Sequence, residues 1–247
     1  MALPLVAALA ACLAGVSTWA AGRWGHEIGG ILSAFPLIVG PVLLLGAQRH
    51  GTAFAADAAG ATLAGLVALS GFALAYGRSA VRWSWRVSLA AGWCAAAALG
   101  TLAGGAELGL AAAVAAAAAS IVAARAALPP PAESRPSLPL PAWEPPVRMG
   151  ATVLLIVGLT AAGSRFGPTV AGVLAALPTL ASVLAVFTHA RHGADALLGL
   201  LRGMLGGMVA FAAFCVVVGL LVDRTGVAVA FGLATSAAAA VQVVAAR

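Results

Sequence analysis

Long apolar runs, interrupted by single Arg residues or by Gly and Pro, make up most of this chain. Hydrophobic residues account for 63% of the 247 residues and charged residues for only 8%, against about 25% charged in soluble domains. A soluble fold cannot bury that much apolar surface and still keep a polar exterior. The composition therefore requires a lipid bilayer as the solvent, and at about 20 residues per spanning helix it leaves no room for a separate soluble catalytic domain.

The apolar runs predict an all-α polytopic membrane protein with about nine transmembrane helices. The predicted helices are Leu3–Ala21, Ile28–Ala47, Thr52–Tyr76, Val87–Ala103, Leu108–Ala124, Met149–Gly163, Pro168–Thr188, Ala194–Val222 and Val227–Ala245. The first run has no basic residues ahead of it, so we interpret it as a retained span rather than a cleaved signal. Leu128–Val147 carries eight of the thirteen prolines, which predicts an extended, semi-rigid surface linker.

The distribution of charge predicts the orientation of the chain in the membrane. The net charge is +6, and all thirteen basic residues are Arg, scattered singly as topology markers rather than gathered into a nucleic-acid patch. Nine spans place nine Arg on one side and three on the other, whereas the split becomes six to six if Leu108–Ala124 does not cross. The positive-inside rule therefore favours nine spans in a bacterial inner membrane, with the N-terminus outside and the C-terminus in the cytoplasm.

The chain contains an internal repeat at an offset of 142 residues. Arg23–Gly51 and Arg165–Gly193 align without a gap and share nine of 29 residues, including Arg, Pro and His matches that composition does not explain. The same offset carries the first four spans onto the last four and leaves the fifth unpaired. Five crossings separate the two starts, so the second half enters from the opposite side. This predicts a 4+1+4 inverted-topology repeat, with residues 1–104 as repeat 1, 105–147 as connector helix plus linker, and 148–247 as repeat 2.

Each repeat carries a proline near the middle of its second span, at Pro36 and Pro178. Such a proline removes a backbone donor and frees a carbonyl that must find a partner in protein, water or solute. Two broken helices meeting near mid-membrane would form a solute site, which we predict is lined by Ser33, Pro36, Pro178 and Thr179. The alternative is a pair of simple kinks, since proline is common in membrane helices.

Arg202 and Asp57 lie at least one turn inside predicted spans, whereas Asp195, the third charged residue within a predicted span, is at the start of its helix. Arg202 is a candidate anion-binding or counter-charge residue, with a side chain that snorkels to the cytoplasmic headgroups as the alternative. Asp57 is a candidate site for a coupling proton or cation, with an interfacial carboxylate that helps to cap its helix as the alternative.

The remaining polar motifs have simpler interpretations. The repeated Arg–His–Gly at 49–51 and 191–193 is typical of a helix C-terminus, with a cation in the last turn and a cap glycine. His189, His192 and Asp195 have spacings that could face one metal, but Gly193 interrupts the helix and no fourth ligand is near, so we predict no metal site. The three cysteines are dispersed and predict neither a disulfide framework nor a metal cluster. Without a nucleophile elbow, phosphate loop or paired carboxylates, the sequence predicts no enzyme and no cofactor.

The twin segments GGILSAFPLIVGPVLLLGAQRHG and AGVLAALPTLASVLAVFTHARHG resemble a group of uncharacterised bacterial inner-membrane proteins. The resemblance covers most of the chain and implies a bacterial origin, but it brings no substrate or site residue with it.

Together these features predict a small secondary transporter or permease that moves a small-molecule solute by alternating access. Its expected partners are that solute and the bilayer, without nucleic acid, and a homo-oligomer is left open. The alternative is a non-transporting membrane scaffold or lipid-handling component of a complex, in which the thin Ala- and Gly-rich helix faces serve close packing.

Overall fold

A computed structural model describes residues 2–106, 108–131, 141–166 and 177–245. Within these residues the chain is all-helical, with no strand. The helices are α1 (Ala2–Trp24), α2 (His26–Ser33), α3 (Val39–His50), α4 (Thr52–Ala80), α5 (Trp85–Gly105), α6 (Leu110–Ala127), α7 (Glu144–Phe166), α8 (Thr179–Thr225) and α9 (Val227–Ala245).

Seven helices in the described part of the chain, α1 and α4 to α9, are long and apolar enough to cross a bilayer. The chain is therefore a multi-pass membrane protein, as the composition predicts. α2 and α3, with 8 and 12 residues, are each too short to cross alone.

Two of the predicted helices differ clearly from the structure. The single helix predicted over Ile28–Ala47 is divided into α2 and α3. α7 begins at Glu144, inside the predicted linker, because Pro145 and Pro146 occupy its first turn, where a missing N–H costs nothing. The described residues do not include 132–140 of that linker, Glu107 or the repeat residues 167–176. The last of these ranges contains the start of the helix predicted over Pro168–Thr188.

α8 contains two arms that meet at Gly193, which has φ 83° and ψ −177°. Gly51, its counterpart in the repeat, separates α3 from α4 with φ 90° and ψ 171°. Both conformations are accessible essentially to glycine alone. The prediction that a glycine ends each Arg–His–Gly helix is therefore confirmed at both positions, although ψ is extended rather than helical as in the usual left-handed cap.

Packing contacts define the relative directions of the helices. α1 and α7 are antiparallel, since Ala7 and Ala10 pack with Ile156 while Gly15 faces Met149. α6 runs antiparallel to the second arm of α8, with Leu110 beside Gly219 and Arg125 bonded to the carbonyl of Arg202. α6 therefore extends along most of that arm.

The helix ends gather at two ends of the bundle. We call the end where α2 and α7 begin and α6 finishes the Glu144 end. The opposite end, where α3 finishes and α4 begins, is the His50 end. Arg78, on the last turn of α4, donates to the Ala127 carbonyl at 3.0 Å, so α4 and α6 finish side by side at the Glu144 end.

Candidate functional site

The helix break at Pro36 lines a cavity of about 540 Å³ that is open to the exterior of the bundle, since Leu37, Gly232, Thr235 and Ser236 in its wall are exposed. The chain leaves helical geometry between Ser33 and Val39 and then resumes as α3. Pro36 lies beyond the eight residues of α2, at about 1.5 Å per residue roughly 12 Å from the Glu144 end. The cavity therefore extends from mid-depth toward the His50 end. Its walls are Phe35, Pro36, Leu37, Gly40, Pro41, Leu44, Phe214, Phe231, Gly232, Thr235 and Ser236.

The cavity lies between the two predicted repeats. One wall is the break and the start of α3, and the other consists of Phe214 on α8 and the first turns of α9. The lining is apolar apart from the hydroxyls of Thr235 and Ser236. Each hydroxyl donates to a carbonyl of its own helix, that of Phe231 or Gly232, and keeps acceptor capacity for another donor.

The backbone at the break finds its partners within the protein. Pro36 has no N–H to donate to the Leu32 carbonyl, which accepts instead from the N–H of Phe35 at 3.1 Å. The Ile31 carbonyl accepts from Ala34 and from the side-chain amide of Gln242 on α9. Gln242 thus ties the break to the other repeat, and sequence analysis did not single it out. Ser33 donates to the Gly30 carbonyl at 2.7 Å within its own helix and does not line the cavity.

The second predicted break has a different local structure. Pro178 is the residue before α8 and Thr179 begins the helix. The Pro178 carbonyl accepts both the N–H and the hydroxyl of Ser182, at 2.8 and 2.7 Å. The indole of Trp93 donates to that same hydroxyl. Neither Pro178 nor Thr179 lines the cavity at Pro36.

Arg202 and Asp57 also lie away from the cavity. Arg202 is half-buried and donates to the carbonyls of Leu128 and Pro129, at 2.9 and 3.4 Å. It thus stabilises the unpaired carbonyls at the C-terminus of α6. Asp57 is exposed on the second turn of α4, near the His50 end.

A second group of polar residues gathers at the Glu144 end, and we call it the Glu144 cluster. Its members are Glu144, Arg148, Arg191, His192 and His26. They come from three elements: the first turns of α7, the last turn of the first arm of α8, and the first residue of α2. Because these elements start or end together, residues far apart in sequence converge.

Glu144 is the centre of the cluster, with its side chain 0% exposed. Its Oε1 accepts from Nη2 of Arg148, which is 1% exposed, at 2.5 Å and lies 3.4 Å from Nε2 of His192. Its Oε2 lies 3.8 Å from Nε of Arg191, whose guanidinium stacks over the Trp143 ring at 4.4 Å. Among the described residues Glu144 is the one fully buried carboxylate.

The two histidines of the cluster face each other across the repeats. The ring centroids of His26 and His192 are 5.1 Å apart. His26 begins α2, outside the seven candidate spans. Burial, reinforced by His192 and Arg148, lowers the pKa of His26 to about 4, although Glu144 opposes the shift. His26 is therefore neutral at physiological pH.

Several buried polar atoms at this end have no hydrogen-bond partner among the described residues. They are Nε2 of His26, Oε2 of Glu144, Nε of Arg148, Nδ1 of His189 and the hydroxyl of Tyr76, whose ring packs on His189. Buried polar atoms without a hydrogen bond are costly, and a group of them at one end of the bundle is a reason to seek a function there. His189 and His192 thus have different neighbours, and the described residues contain no group of three side chains able to hold a metal ion.

Between the cavity and the cluster, α2 packs directly on the second arm of α8. Gly199, Gly203 and Gly207 follow one another at four-residue intervals and so form a stripe along that arm. A Cβ at Gly203 would overlap the Glu27 carbonyl, and one at Gly207 would overlap that of Ile31. We call this contact the glycine seam, and it closes the space between the repeats on the cluster side of the cavity.

Sequence analysis missed the cluster because its acid lay in the proline-rich segment. Glu144 was assigned to the linker and Arg148 to topology marking. The available signal was an acid and a base four residues apart, Glu144 and Arg148, directly before an apolar run. The partners of Glu144 on α8, Arg191 and His192, are 47 and 48 residues away and cannot be found from spacing.

The chain was compared with models of known families, with curated proteins and with solved structures, and none of them matches. The resemblance of the twin segments to bacterial inner-membrane proteins stays a prediction and gives no residue a role. The geometry of the cavity and of the Glu144 cluster is therefore the basis for a functional proposal.

Proposed function

We propose that this protein is a small secondary transporter that moves a solute by alternating access, with the solute site in the cavity at the α2–α3 break. The observation that carries the proposal is a mid-depth cavity of about 540 Å³ between the two repeats, at an interrupted helix. Solute sites of transporters with inverted repeats lie in this position. The proposal keeps Pro36 of the predicted site and replaces the other predicted residues with Thr235 and Ser236.

An inverted 4+1+4 repeat is supported by the helix bounds. Adding 142 to the end of α1 at Trp24 gives Phe166, the end of α7. The same offset carries the start of α4 to residue 194, directly after the bend at Gly193, and the start of α5 to Val227. α6 has no counterpart. The counterparts α1 and α7 are antiparallel, as inversion requires.

Alternating access needs a cavity that is closed on one side, and the two ends of this bundle differ in that respect. The glycine seam and the Glu144 cluster close the repeats against each other between the break and the Glu144 end. Under the positive-inside orientation in a bacterial inner membrane, the Glu144 end is cytoplasmic and the cavity faces outward. Transport would then require the seam to part.

The lining defines the class of solute. Among the described residues no charged side chain lines the cavity, and its volume lies within the range of small-molecule sites. A neutral, largely apolar molecule with a hydrogen-bond donor fits, since the hydroxyls of Thr235 and Ser236 can accept. Arg202 and Asp57 would then act outside the solute site.

Cysteine accessibility tests the proposal without knowledge of the solute. Cys12 and Cys94 are exposed and are replaced by Ala, while Cys215 is buried and stays. In this background Thr235→Cys is labelled with a membrane-impermeant maleimide, in right-side-out and in inverted vesicles at one fixed pH. We expect labelling from both sides, because the cavity opens alternately to each compartment.

Leu154→Cys is the matched control, since Leu154 is 74% exposed near the middle of α7. A thiol there faces lipid and should react from neither side. Labelling of Thr235→Cys from the outside alone would contradict alternating access and favour the non-transporting scaffold.

A further inference from the structure

We propose that the His26–His192 pair binds the coupling proton, and that its protonation parts the two repeats at the Glu144 end. The inference rests on the proposed transporter function and names the ion that would drive it. It replaces Asp57, which is exposed and away from both the cavity and the seam.

The pair bridges the repeats at the point that must open. His26 begins α2, the helix that packs along the glycine seam, and His192 ends the first arm of α8. Their ring centroids are 5.1 Å apart, so a change in the charge of either ring acts directly across the interface. A proton bound here would therefore lie at the contact between the repeats that has to part during transport.

Burial and the nearby cations oppose protonation of His26 in the closed conformation. One carboxylate, Glu144, faces two guanidinium groups, Arg148 and Arg191, so the cations outnumber it before a proton is added. Oε1 of Glu144 accepts from Arg148 and also lies 3.4 Å from Nε2 of His192, which is the one contact here that favours a proton on the pair. His189 lies three residues before His192, and its ring packs on Tyr76 of α4, which brings no charge.

A proton therefore binds more tightly once the repeats separate and water reaches the rings. A ligand shifts a conformational equilibrium by its difference in affinity for the two states. If His26 returns from a pKa of about 4 to the ordinary 6.5 on opening, the open state gains about 30-fold at about pH 5. Because the pKa of His26 is lowered in the closed conformation, acid pH favours the open Glu144 end, and neutral or alkaline pH favours the closed one.

Distance measurements on the full-length protein test this directly. Spin labels are attached at Trp83→Cys, between α4 and α5, and at Val244→Cys, near the end of α9, which are 60% and 72% exposed and belong to different repeats. Cys12 and Cys94 are replaced by Ala. Electron–electron distances are compared at about pH 8 and about pH 5, a range that spans the titration of an ordinary histidine. We expect a longer distance to appear at acid pH, with its population raised roughly tenfold or more.

Variants identify the proton site. His26→Gln and His192→Gln should abolish the acid response, whereas His50→Gln should retain it. His50 is the repeat counterpart of His192, but its ring packs on Phe54 with no charged partner among the described residues. If a glutamine variant does not fold, His26→Asn takes its place, and the same loss of the acid response is expected.

Each outcome separates this inference from the proposed function. A parent distance that does not change with pH, or an acid response that survives in both histidine variants, overturns the proton site. If Thr235→Cys is nevertheless labelled from both sides at fixed pH, alternating access stands and only its coupling to His26–His192 is wrong. If labelling is one-sided as well, both proposals are wrong.

Discussion

A carboxylate as deeply buried as that of Glu144 persists only because cations surround it. Glu144 and Arg148 are 0% and 1% exposed and form an ion pair one turn apart on α7. Removing two charges from water costs several kcal/mol per ion, so such a pair adds little net stability by itself. Its position beside two histidines therefore supports the proposed role in proton coupling more than a role in folding.

Removal of one partner of this pair should be far more damaging than removal of both. Glu144→Ala leaves Arg148 as an uncompensated buried charge and should lower the free energy of unfolding by about 3–5 kcal/mol, while Glu144→Leu combined with Arg148→Leu should recover most of that loss. Unfolding in mixed micelles measures both. The exposed Asp223→Asn, as control, should change stability by less than about 0.5 kcal/mol. Equal stability of Glu144→Ala and the control would mean that Arg148 is not buried as described.

For the helices, periodicity and composition predict most of the bounds but not which helices pack against each other. The α2–α3 break follows from Pro36, because proline removes a donor wherever it occurs. The sequence does not predict which groups donate hydrogen bonds to the carbonyls at the break, since Gln242 lies 211 residues from Ile31. The glycines at 29, 30, 203 and 207 are closely packed against neighbouring helices, but the sequence does not say which helix approaches each one.

The glycine seam should not tolerate even one methyl group. In Gly203→Ala the new Cβ overlaps the Glu27 carbonyl, a backbone atom that cannot rotate away, so α2 must shift. We expect a loss of about 1–3 kcal/mol or more in unfolding free energy, together with easier opening of the Glu144 end. Thermal unfolding and the Trp83–Val244 distance measure the two effects.

Gly158→Ala on α7 is the matched control, because nothing lies within 4 Å of its Cβ position. There the higher helix propensity of Ala should stabilise by about 0.5–1 kcal/mol. If both glycine variants behave alike, the seam does not exist as a close contact in the membrane.

Seven helices of the described chain are long enough to cross the membrane, α2 and α3 together would form an eighth, divided crossing, and the bend at Gly193 divides α8 into two arms. Nine crossings follow if the arm of α8 before Gly193 also crosses the membrane. The antiparallel helices α1 and α7 then have their last residues on opposite sides of the membrane. The Arg split of nine to three depends on the same count, because it becomes even if α6 does not cross. The number of crossings therefore determines on which side of the membrane each loop and each Arg lies.

Side-specific labelling checks that claim at the ends of the repeat counterparts. In the background without Cys12 and Cys94, we expect Trp24→Cys, at the end of α1, to react only from the cytoplasm and Phe166→Cys, at the end of α7, only from outside. Gly109→Cys, directly before α6, should react from outside, on the side opposite Trp83→Cys, because α6 extends along most of the second arm of α8. Labelling of residues 24 and 166 from one compartment would mean that the repeats are not inverted, and a cavity between them could not open alternately by exchange of equivalent conformations.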